Sequence, residues 1–282
     1  YMIVDHYSLD INWEKEKRYN ADKIFVIEDL NTRKHFCNYL LNFNIAETIQ
    51  NKYKKLINLN AKLLLGPKYL LLPNNYNSGK KIINYKKIIF FIYFGYSDNF
   101  DLTFKTILYL EKIPNNNFYY NIVLGKSSSV IKKLENLLKN NKNYKIFINV
   151  DNIISILKNS DIAIGSGGFN SFERVRLLKP SIVINNADNQ NEICKIFSKY
   201  KLIEYVGKAK DVTSNKLNKR VNKVINNYSK IVNKLSNKKS MFPVHSLNNV
   251  YKIINQNKKN INILIDKKSW LNKYLEKFIK DL

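Results

Sequence analysis

Residues Asp161–Gln190 read DIAIGSGGFNSFERVRLLKPSIVINNADNQ, and this stretch decides the predicted fold. The apolar run Ile162–Ile164 predicts a strand, and the small residues Gly165–Gly168 predict a turn into a short helix that ends before Pro180. A second apolar run, Ile182–Ile184, predicts the next strand. A glycine turn between a strand and a helix N-terminus is an anion site, because backbone N–H groups converge there without an obstructing Cβ. The stretch therefore predicts a pocket for a nucleotide or a sugar nucleotide.

The same alternation of strand and helix continues on both sides of this stretch. Further strands are predicted at Ile88–Phe94, Phe118–Leu124, Tyr144–Asn149 and Leu202–Val206. Helix-patterned segments separate them, so we expect an α/β fold with a parallel sheet between two helical layers. Ligands of such sheets bind at the carboxyl ends of the strands. The glycine turn, Gly95–Asn99 and Asn149–Asn152 all follow strands and are expected along one edge.

The first 75 residues carry a weaker form of this pattern. Strands are predicted at Met2–Asp5 and Lys23–Ile27, and a helix with Trp13 buried is predicted at Asp10–Asn20. The chain starts at Tyr1 within a strand-like run, so we expect part of this domain to precede it.

Three segments organise the rest of the chain. The polar segment Pro73–Lys81, marked by Pro and Gly, is predicted to link two domains. One long, lysine-rich amphipathic helix is predicted at Asp211–Lys239. Residues 241–282 carry a strand predicted at Ile261–Ile265 and a helix predicted at Ser269–Leu282. This tail either packs back on the body of the protein or begins a further domain.

Length and composition limit the class of protein. With 282 residues, 45% of them hydrophobic, the chain can form one large or two modest domains with a substantial core. No apolar run approaches the roughly 20 residues that span a bilayer, and no signal peptide is visible, so no membrane partner is expected. Cys37 and Cys194 are far apart and form no Cys/His cluster. This favours the reducing cytoplasm, with no metal and no cofactor.

The net charge of +26 suggests nucleic-acid binding only at first sight. Of the 48 basic residues only five are arginine, and the chain has no arginine cluster or aromatic stacking motif of the kind that reads nucleic acid. We therefore interpret the lysines as solvated surface residues and expect no nucleic-acid partner.

The candidate phosphate cradle consists of Gly167 and Gly168 together with Asn170 and Ser171. The alternative is a tight turn without function, but four small residues in a row exceed what a turn needs. Glu173, in the first turns of the following helix, either complements the helix dipole or accepts hydrogen bonds from a ribose diol.

Two other loops hold weaker candidates. Gly95–Asp98 lies between a strand and a helix, where it either contacts a diphosphate or caps the helix through Ser97 or Asp98. His6 follows the first strand and can act as a base, although Asp5 is a poor partner because neighbours on a strand face opposite sides. Isolated histidines are more often structural. His35 and His245 have no evident partner in the sequence, and neither a catalytic triad nor a metal-ligand spacing is present.

Several motifs occur in an order that resembles one known family. They are VDHYSLD at Val4–Asp10, FVIEDL at Phe25–Leu30, LLLGPKYLLL at Leu63–Leu72, GSGGFNSFER at Gly165–Arg174 and ADNQ at Ala187–Gln190. Over residues 1–206 the chain resembles the UDP-2,4-diacetamido-2,4,6-trideoxy-β-L-altropyranose hydrolases of pseudaminic acid biosynthesis.

The resemblance implies a glycosyltransferase-B-like fold and a hydrolytic reaction. Residues 1–75 would be the remainder of an N-terminal Rossmann-like domain, and residues 82–240 a complete C-terminal, UDP-binding Rossmann-like domain. A water activated by a histidine attacks the anomeric carbon, and UDP leaves without a required metal. The catalytic histidine of the family lies in a glycine-rich loop that corresponds to sequence before Tyr1.

The resemblance also assigns substrate contacts. The residues concerned are Tyr7, Ile148, Ser166, Gly167, Gly168, Phe169, Asn170, Glu173, Asn189 and Gln190. Glu173 would contact the uridine ribose, the two glycines the diphosphate, and the backbone at Ile148 the uracil. Asn189 would face the sugar or the diphosphate.

Two other functions stay open at the level of sequence. A UDP-sugar-dependent glycosyltransferase would use the same pocket with an acceptor in place of water. A non-catalytic nucleotide-sugar-binding module would have the pocket without the base. A Gly-x-Gly-His-type loop upstream of Tyr1 would distinguish the hydrolase from the binding module.

Overall fold

The structure is a computed structural model that describes residues 2–45, 49–58, 60–77, 81–96, 98, 100–114, 117–139, 141–255 and 262–265. The strands are β1 (Met2–Asp5), β2 (Ile24–Ile27), β3 (Tyr39–Asn42), β4 (Lys62–Leu65), β5 (Ile88–Tyr93), β6 (Phe118–Leu124), β7 (Tyr144–Ile148), β8 (Ile162–Ser166), β9 (Ser181–Asn185), β10 (Glu204–Lys208) and β11 (Asn262–Ile265). The helices are α1 (Ile11–Lys17), α2 (Ile49–Tyr53), α3 (Leu102–Leu110), α4 (Ile131–Leu138), α5 (Ile153–Asn159), α6 (Asn170–Arg176), α7 (Asn191–Lys199), α8 (Ser214–Asn226), α9 (Tyr228–Asn237) and α10 (Ser246–Asn255).

The chain divides into two compact units, Tyr1–Asn75 with Ser240–Leu282, and Tyr76–Lys239. In the described residues the first unit is built on a parallel sheet in the order β11-β1-β2-β3-β4. Its core includes Val4, Val26 and Leu40. The sequence pattern does not predict β3, because an apolar run of four residues carries no usable periodicity.

The chain returns to the first unit after α9. β11 pairs in parallel with β1, with Met2 opposite Asn262. Ahead of it, the Ser246 hydroxyl donates to the Leu70 carbonyl at 2.8 Å. The sequence leaves two arrangements open for residues 241–282. In the structure, the described part of this segment belongs to the first unit. The helix predicted at Ser269–Leu282 lies outside the described residues.

The second unit contains the predicted α/β repeat. Its strands are all parallel, in the order β10-β9-β8-β5-β6-β7. The chain runs outward from β5 to β7 and then crosses to β8 on the other side of β5, which is the doubly wound order of dinucleotide-binding sheets. The inner strands β5, β6, β8 and β9 are largely buried on both faces and therefore read as apolar runs, and β6 has the bounds that the sequence predicts.

The single helix predicted at Asp211–Lys239 is wrong, because the structure has two helices, α8 and α9, that meet at Asn227. The Asn227 Nδ2 donates to the Lys223 carbonyl at 2.9 Å. An asparagine side chain that bonds the preceding turn competes with the backbone and interrupts a helix. The apolar stripe continues across the break, with Val224 and Tyr228 both buried.

Helix α1 differs from its prediction in which side chain is buried. Asp10 caps the helix, its Oδ1 accepting the N–H groups of Asn12 and Trp13 at 3.1 Å. Trp13 is only half-buried, whereas Glu14 is fully buried. A charged partner for Glu14, described below, explains its burial.

The predicted linker contains a residue that packs in the protein interior. Tyr76 is buried, and its carbonyl accepts a hydrogen bond from the Arg176 Nε at 3.1 Å. No helix in the described part of the chain is long and apolar enough to cross a membrane.

Candidate functional site

The candidate site lies where the strand order of the second unit reverses. β5 and β8 are neighbours, and the chain leaves them toward opposite sides of the sheet. Such a switch point forms a crevice at the carboxyl ends of the strands. Here the loop at Gly95 follows β5, and the glycine turn follows β8. Asn186, after β9, reaches the same edge, since its Nδ2 donates to the Phe94 carbonyl at 3.2 Å.

Two of the three glycines in the turn are required for packing. A Cβ on Gly165 would lie 2.2 Å from a carbonyl oxygen of β5, and one on Gly167 would lie 2.1 Å from the Cys194 Sγ. Neither distance is possible for real atoms. For Gly168 the nearest atom to an added Cβ is the Gln190 Nε2, at 3.6 Å. The run of small residues is thus partly a packing requirement, and among these three only Gly168 has space beside its backbone.

The N–H of Gly167 is already bonded inside the protein. It donates to the Gln190 Oε1 at 3.0 Å, and the Asn186 N–H donates to the same oxygen at 3.2 Å. This differs from the prediction that the Gly167 N–H and the Gln190 side chain both face a ligand. Within the described residues, no acceptor is bonded to the N–H of Gly168 or Asn170. These two N–H groups are the donors that the turn leaves for an anion.

Arg174 is fully buried against the end of β8. Its Nη2 donates to the Ser166 carbonyl at 2.6 Å and to the Ser171 Oγ at 2.9 Å. Its Nε and Nη1 have no hydrogen-bond partner in the described part of the chain. Burial lowers the pKa of this guanidinium to about 10, so it is charged at neutral pH. A buried positive charge therefore supports the glycine turn from inside.

Glu173 is buried as well, with 4% of its surface exposed. Burial, and then the negative charge of Glu173, raises the pKa of the Tyr93 phenol to about 12. The carboxylate therefore lies close to the end of β5. A ribose hydroxyl therefore has little direct access to it.

The other residues predicted to contact the substrate differ in their burial and in their distance from the glycine turn. The Ser166 side chain is buried and its carbonyl is occupied by the guanidinium just described. The Phe169 ring is buried against Phe172, with 5.8 Å between ring centroids, so only its backbone is near the turn. Asn189 is exposed. Ile148 is at the end of β7, three strands from β8 and hence about 14 Å away.

An open groove of about 280 Å³ runs along the same edge, beside the ADNQ motif. Its lining includes Asn185, Asn186 and Asp188 from the end of β9, and Lys208 and Lys210 from the end of β10. The groove offers amide groups and two positive charges next to the glycine turn. These features suit a polar, anionic ligand.

The loop after β5 is shaped by helix capping. The Asp98 Oδ1 accepts the Leu102 N–H at 2.9 Å, and its Oδ2 accepts the Thr103 N–H at 3.0 Å. Asp98 is buried, so its carboxylate serves α3 and not a diphosphate. Ser97, the other predicted cap, lies outside the described residues.

In the first unit, Tyr7 follows β1. Its hydroxyl lies 3.0 Å from both oxygens of the Asp29 carboxylate and donates to it. Burial, and then the charge of Glu28, raises the pKa of Asp29 to about 6. His6 Nδ1 accepts the Ser8 N–H at 3.1 Å, which orients the ring. Tyr7 is 46% exposed and therefore open to a ligand.

A charged network is buried in the core of the same unit. The Nδ1 of His35 lies 2.7 Å from the Glu14 Oε1, and its Nε2 lies 2.9 Å from the Glu28 Oε2. Arg33 Nε donates to the same Glu28 oxygen at 2.9 Å. Burial by itself lowers the pKa of His35, but the hydrogen bonds with Glu14 and Glu28 outweigh it and raise the pKa to about 9. The sequence showed no partner for His35, because both carboxylates come from other elements.

Sequence reasoning also missed the roles of Arg174, Cys194 and the Gln190 side chain. A signal exists for the first: arginine is rare in this chain, yet Arg174 and Arg176 both lie in α6. Cys194 and Gln190 carry no such signal, because their contacts with the glycine turn depend on how α7 packs.

Curated relatives share part of this chain. It is 28% identical over 202 residues to an uncharacterized protein of Methanocaldococcus jannaschii, covering 68% of this chain and 41% of that protein. It is 26% identical over 160 residues to UDP-2,4-diacetamido-2,4,6-trideoxy-beta-L-altropyranose hydrolase of Campylobacter jejuni, covering 57% of each. The chain thus spans about half the length of these relatives.

Solved structures share the fold. A structure of S. aureus MnaA with UDP is 10% identical, with a TM-score of 0.63 over 93% of this chain and 76% of that one. At this identity the likeness shows the fold alone, which is α/β and glycosyltransferase-B-like. Residues 89–256 match the family model of the glycosyltransferase family 28 C-terminal domain. Because this match covers more than half of the chain, the chain belongs to the family defined by the glycosyltransferase family 28 C-terminal domain.

Proposed function

We propose that this chain holds the nucleotide of a UDP-linked diacetamido-trideoxy sugar in an enzyme that hydrolyses it at the anomeric carbon. The observation that carries the proposal is the arrangement at the switch point of the second unit. The unbonded N–H groups of Gly168 and Asn170 lie there, above the buried charge of Arg174. The similarity to the Campylobacter jejuni hydrolase supports this choice of reaction and of sugar.

These residues would act on the leaving group. As the bond from the anomeric carbon to the diphosphate oxygen breaks, negative charge grows on the diphosphate. Fixed N–H donors and a buried guanidinium stabilise that charge without reorganising, which favours departure of UDP. Water supplies the new oxygen at the anomeric carbon and gives up a proton to a general base. In the family that the chain resembles, that base is a histidine.

The predicted substrate contacts have separate roles in this proposal. Glu173 binds the ribose after a local side-chain movement, and the groove beside Asn189 accommodates the sugar or the diphosphate. The backbone at Ile148 faces the uracil. Tyr7, whose hydroxyl donates to Asp29, is assigned to the sugar by the resemblance alone.

Transfer to an acceptor is the second candidate function, and the family description favours it. The same pocket would then release UDP only when a hydroxyl acceptor is present. A binding module without a base would hold UDP and release none.

The Glu173→Ala variant tests the nucleotide site. We expect UDP affinity to fall by roughly 1–3 kcal/mol, because the ribose loses a charged acceptor. Isothermal titration with UDP measures the change. Glu135→Ala, which removes an exposed carboxylate from α4, is the matched control and should bind like the parent protein. Equal affinity in both variants would remove Glu173 from the site.

The reaction is tested by UDP release from the UDP-linked diacetamido-trideoxy-altropyranose, with the protein at its full natural length. We expect release of UDP and of the free sugar, without an added acceptor. Release that requires an acceptor would assign transfer instead of hydrolysis. Binding of UDP with no release under either condition would assign the binding module.

A further inference from the structure

We infer that the second unit carries another anion site, at the edge of the sheet opposite the glycine turn. A cavity of about 340 Å³ opens where β9 and β10 begin, with Ser181 and Glu204 in its wall. In a parallel sheet the strands begin at one edge and end at the other. The cavity is therefore separate from the candidate nucleotide site, and this inference goes beyond the proposed function.

The wall of the cavity is strongly basic. It contains one carboxylate and five cationic side chains, which are Lys201, Arg220, Lys223, Lys230 and Lys234. The Glu204 carboxylate is paired, at 2.8 Å from the Lys223 Nζ and 3.5 Å from an Arg220 nitrogen. Within the described residues, Lys201, Lys230 and Lys234 have no ion pair. Positive charge is therefore left in excess around a concave surface.

The helices place this charge on one face. Arg220 and Lys223 are three residues apart on α8, and Lys230 and Lys234 are four apart on α9, so each pair lies on one side of its helix. Both pairs line the cavity. The apolar stripe of these helices faces the sheet instead. The cavity thus differs from a scattered lysine coat, because its charges converge across one space.

Backbone geometry at Lys201 supports the same conclusion. Its φ is +56°, a conformation that usually selects glycine or asparagine after a helix end. A lysine occupies this position, and its side chain lines the cavity. Next to it, Leu202 and Ile203 are buried and provide an apolar wall.

The chemistry and size define the ligand class. Like charges that line one concavity repel each other and focus a positive potential, which a multiply charged anion relieves. Small-molecule pockets usually measure about 300–1,000 Å³, so this cavity suits a compact ligand better than a flat surface such as a bilayer. We assign it to a small molecule that carries a diphosphate or several phosphate groups.

Inorganic pyrophosphate is the probe, titrated into the full chain in the presence of saturating UDP so that the nucleotide site is filled. We expect one further binding event that weakens as salt increases. The Lys230→Gln/Lys234→Gln variant should bind pyrophosphate about tenfold more weakly or worse, because two charged donors are lost. Its affinity for UDP should not change.

The matched control is Lys195→Gln/Lys219→Gln, which removes two exposed lysines of α7 and α8 outside the cavity. Equal pyrophosphate affinity in the two double variants would overturn the inference. Binding to phosphatidylglycerol vesicles without binding to pyrophosphate would overturn it too, in favour of a membrane surface. If UDP fails to bind but pyrophosphate binding still depends on Lys230 and Lys234, the proposed function fails and this site stands.

Discussion

The Gly167→Ala variant is expected to lose about 1–3 kcal/mol of unfolding free energy, the usual cost of overpacking a core. The new methyl group would be 2.1 Å from the Cys194 Sγ, and Cys194 is itself buried in α7. To remove this overlap, either the Cys194 side chain must rotate or α7 must shift away from the glycine turn. That shift also disturbs the hydrogen bond from the Gly167 N–H to Gln190. Urea denaturation of the full chain measures this loss of unfolding free energy.

Two companion variants make this prediction specific. Gly168→Ala adds the same methyl group where the nearest atom is 3.6 Å away, so its stability should change by no more than about 0.5 kcal/mol. Cys194→Ala in the Gly167→Ala background removes the colliding sulfur and should restore part of the loss as a coupling energy. A Gly167→Ala protein as stable as the parent, or an absence of coupling to Cys194, would contradict this account of the turn.

The His35→Ala variant should be destabilised by roughly 3–5 kcal/mol, the range for breaking a buried ion pair. His35 lies between Glu14 and Glu28, both buried, and its removal leaves Glu14 without its cationic partner. His245→Ala is the matched control, because His245 is exposed and its loss should have little effect. Chemical denaturation at pH 6.5 compares the two variants.

The pH dependence provides a second readout of the same network. The pKa of His35 is about 9 in the folded protein and 6.5 for an unperturbed histidine. Its contribution to the free energy of unfolding is therefore complete below pH 6.5 and is lost as the pH rises through 9. Between pH 6.5 and pH 9 the free energy of unfolding of the parent protein should therefore fall by roughly 3 kcal/mol, and that of His35→Ala should not. Parallel curves for both proteins would show that His35 is not charged in the fold.

The fold was largely predictable because its rules are local. Parallel strands buried on both faces read as apolar runs, and the turns between them are marked by polar and small residues. This is why β5 to β9 lie close to their predicted positions. β3 and α10 were missed, and the break at Asn227 was missed as well. β3 is a run of only four residues, too short for its periodicity to be recognised, and the break at Asn227 depends on a side-chain hydrogen bond.

The sequence indicated which loop to consider for the candidate site, and the strand order added its place in the sheet. The glycine turn stood out as small residues at the end of an apolar run, and the strand order puts this turn at the switch point. The predicted cradle, however, treated the glycines alike, whereas Gly167 is packed against Cys194 and Gly168 is not. Similarly, the rarity of arginine marked α6, but not that Arg174 would be buried with unfilled donors.

By itself, the sequence determined the alternation of strands and helices and the glycine turn after β8, because each depends on neighbouring residues. Only the tertiary structure decided the strand order, the return of β11 to β1, and the acceptor of the Gly167 N–H. It likewise decided the partners of His35, and it brought the lysines of α8 and α9 around one cavity. These features depend on contacts between residues far apart in the chain, and local periodicity carries no information about which distant surfaces will pack together.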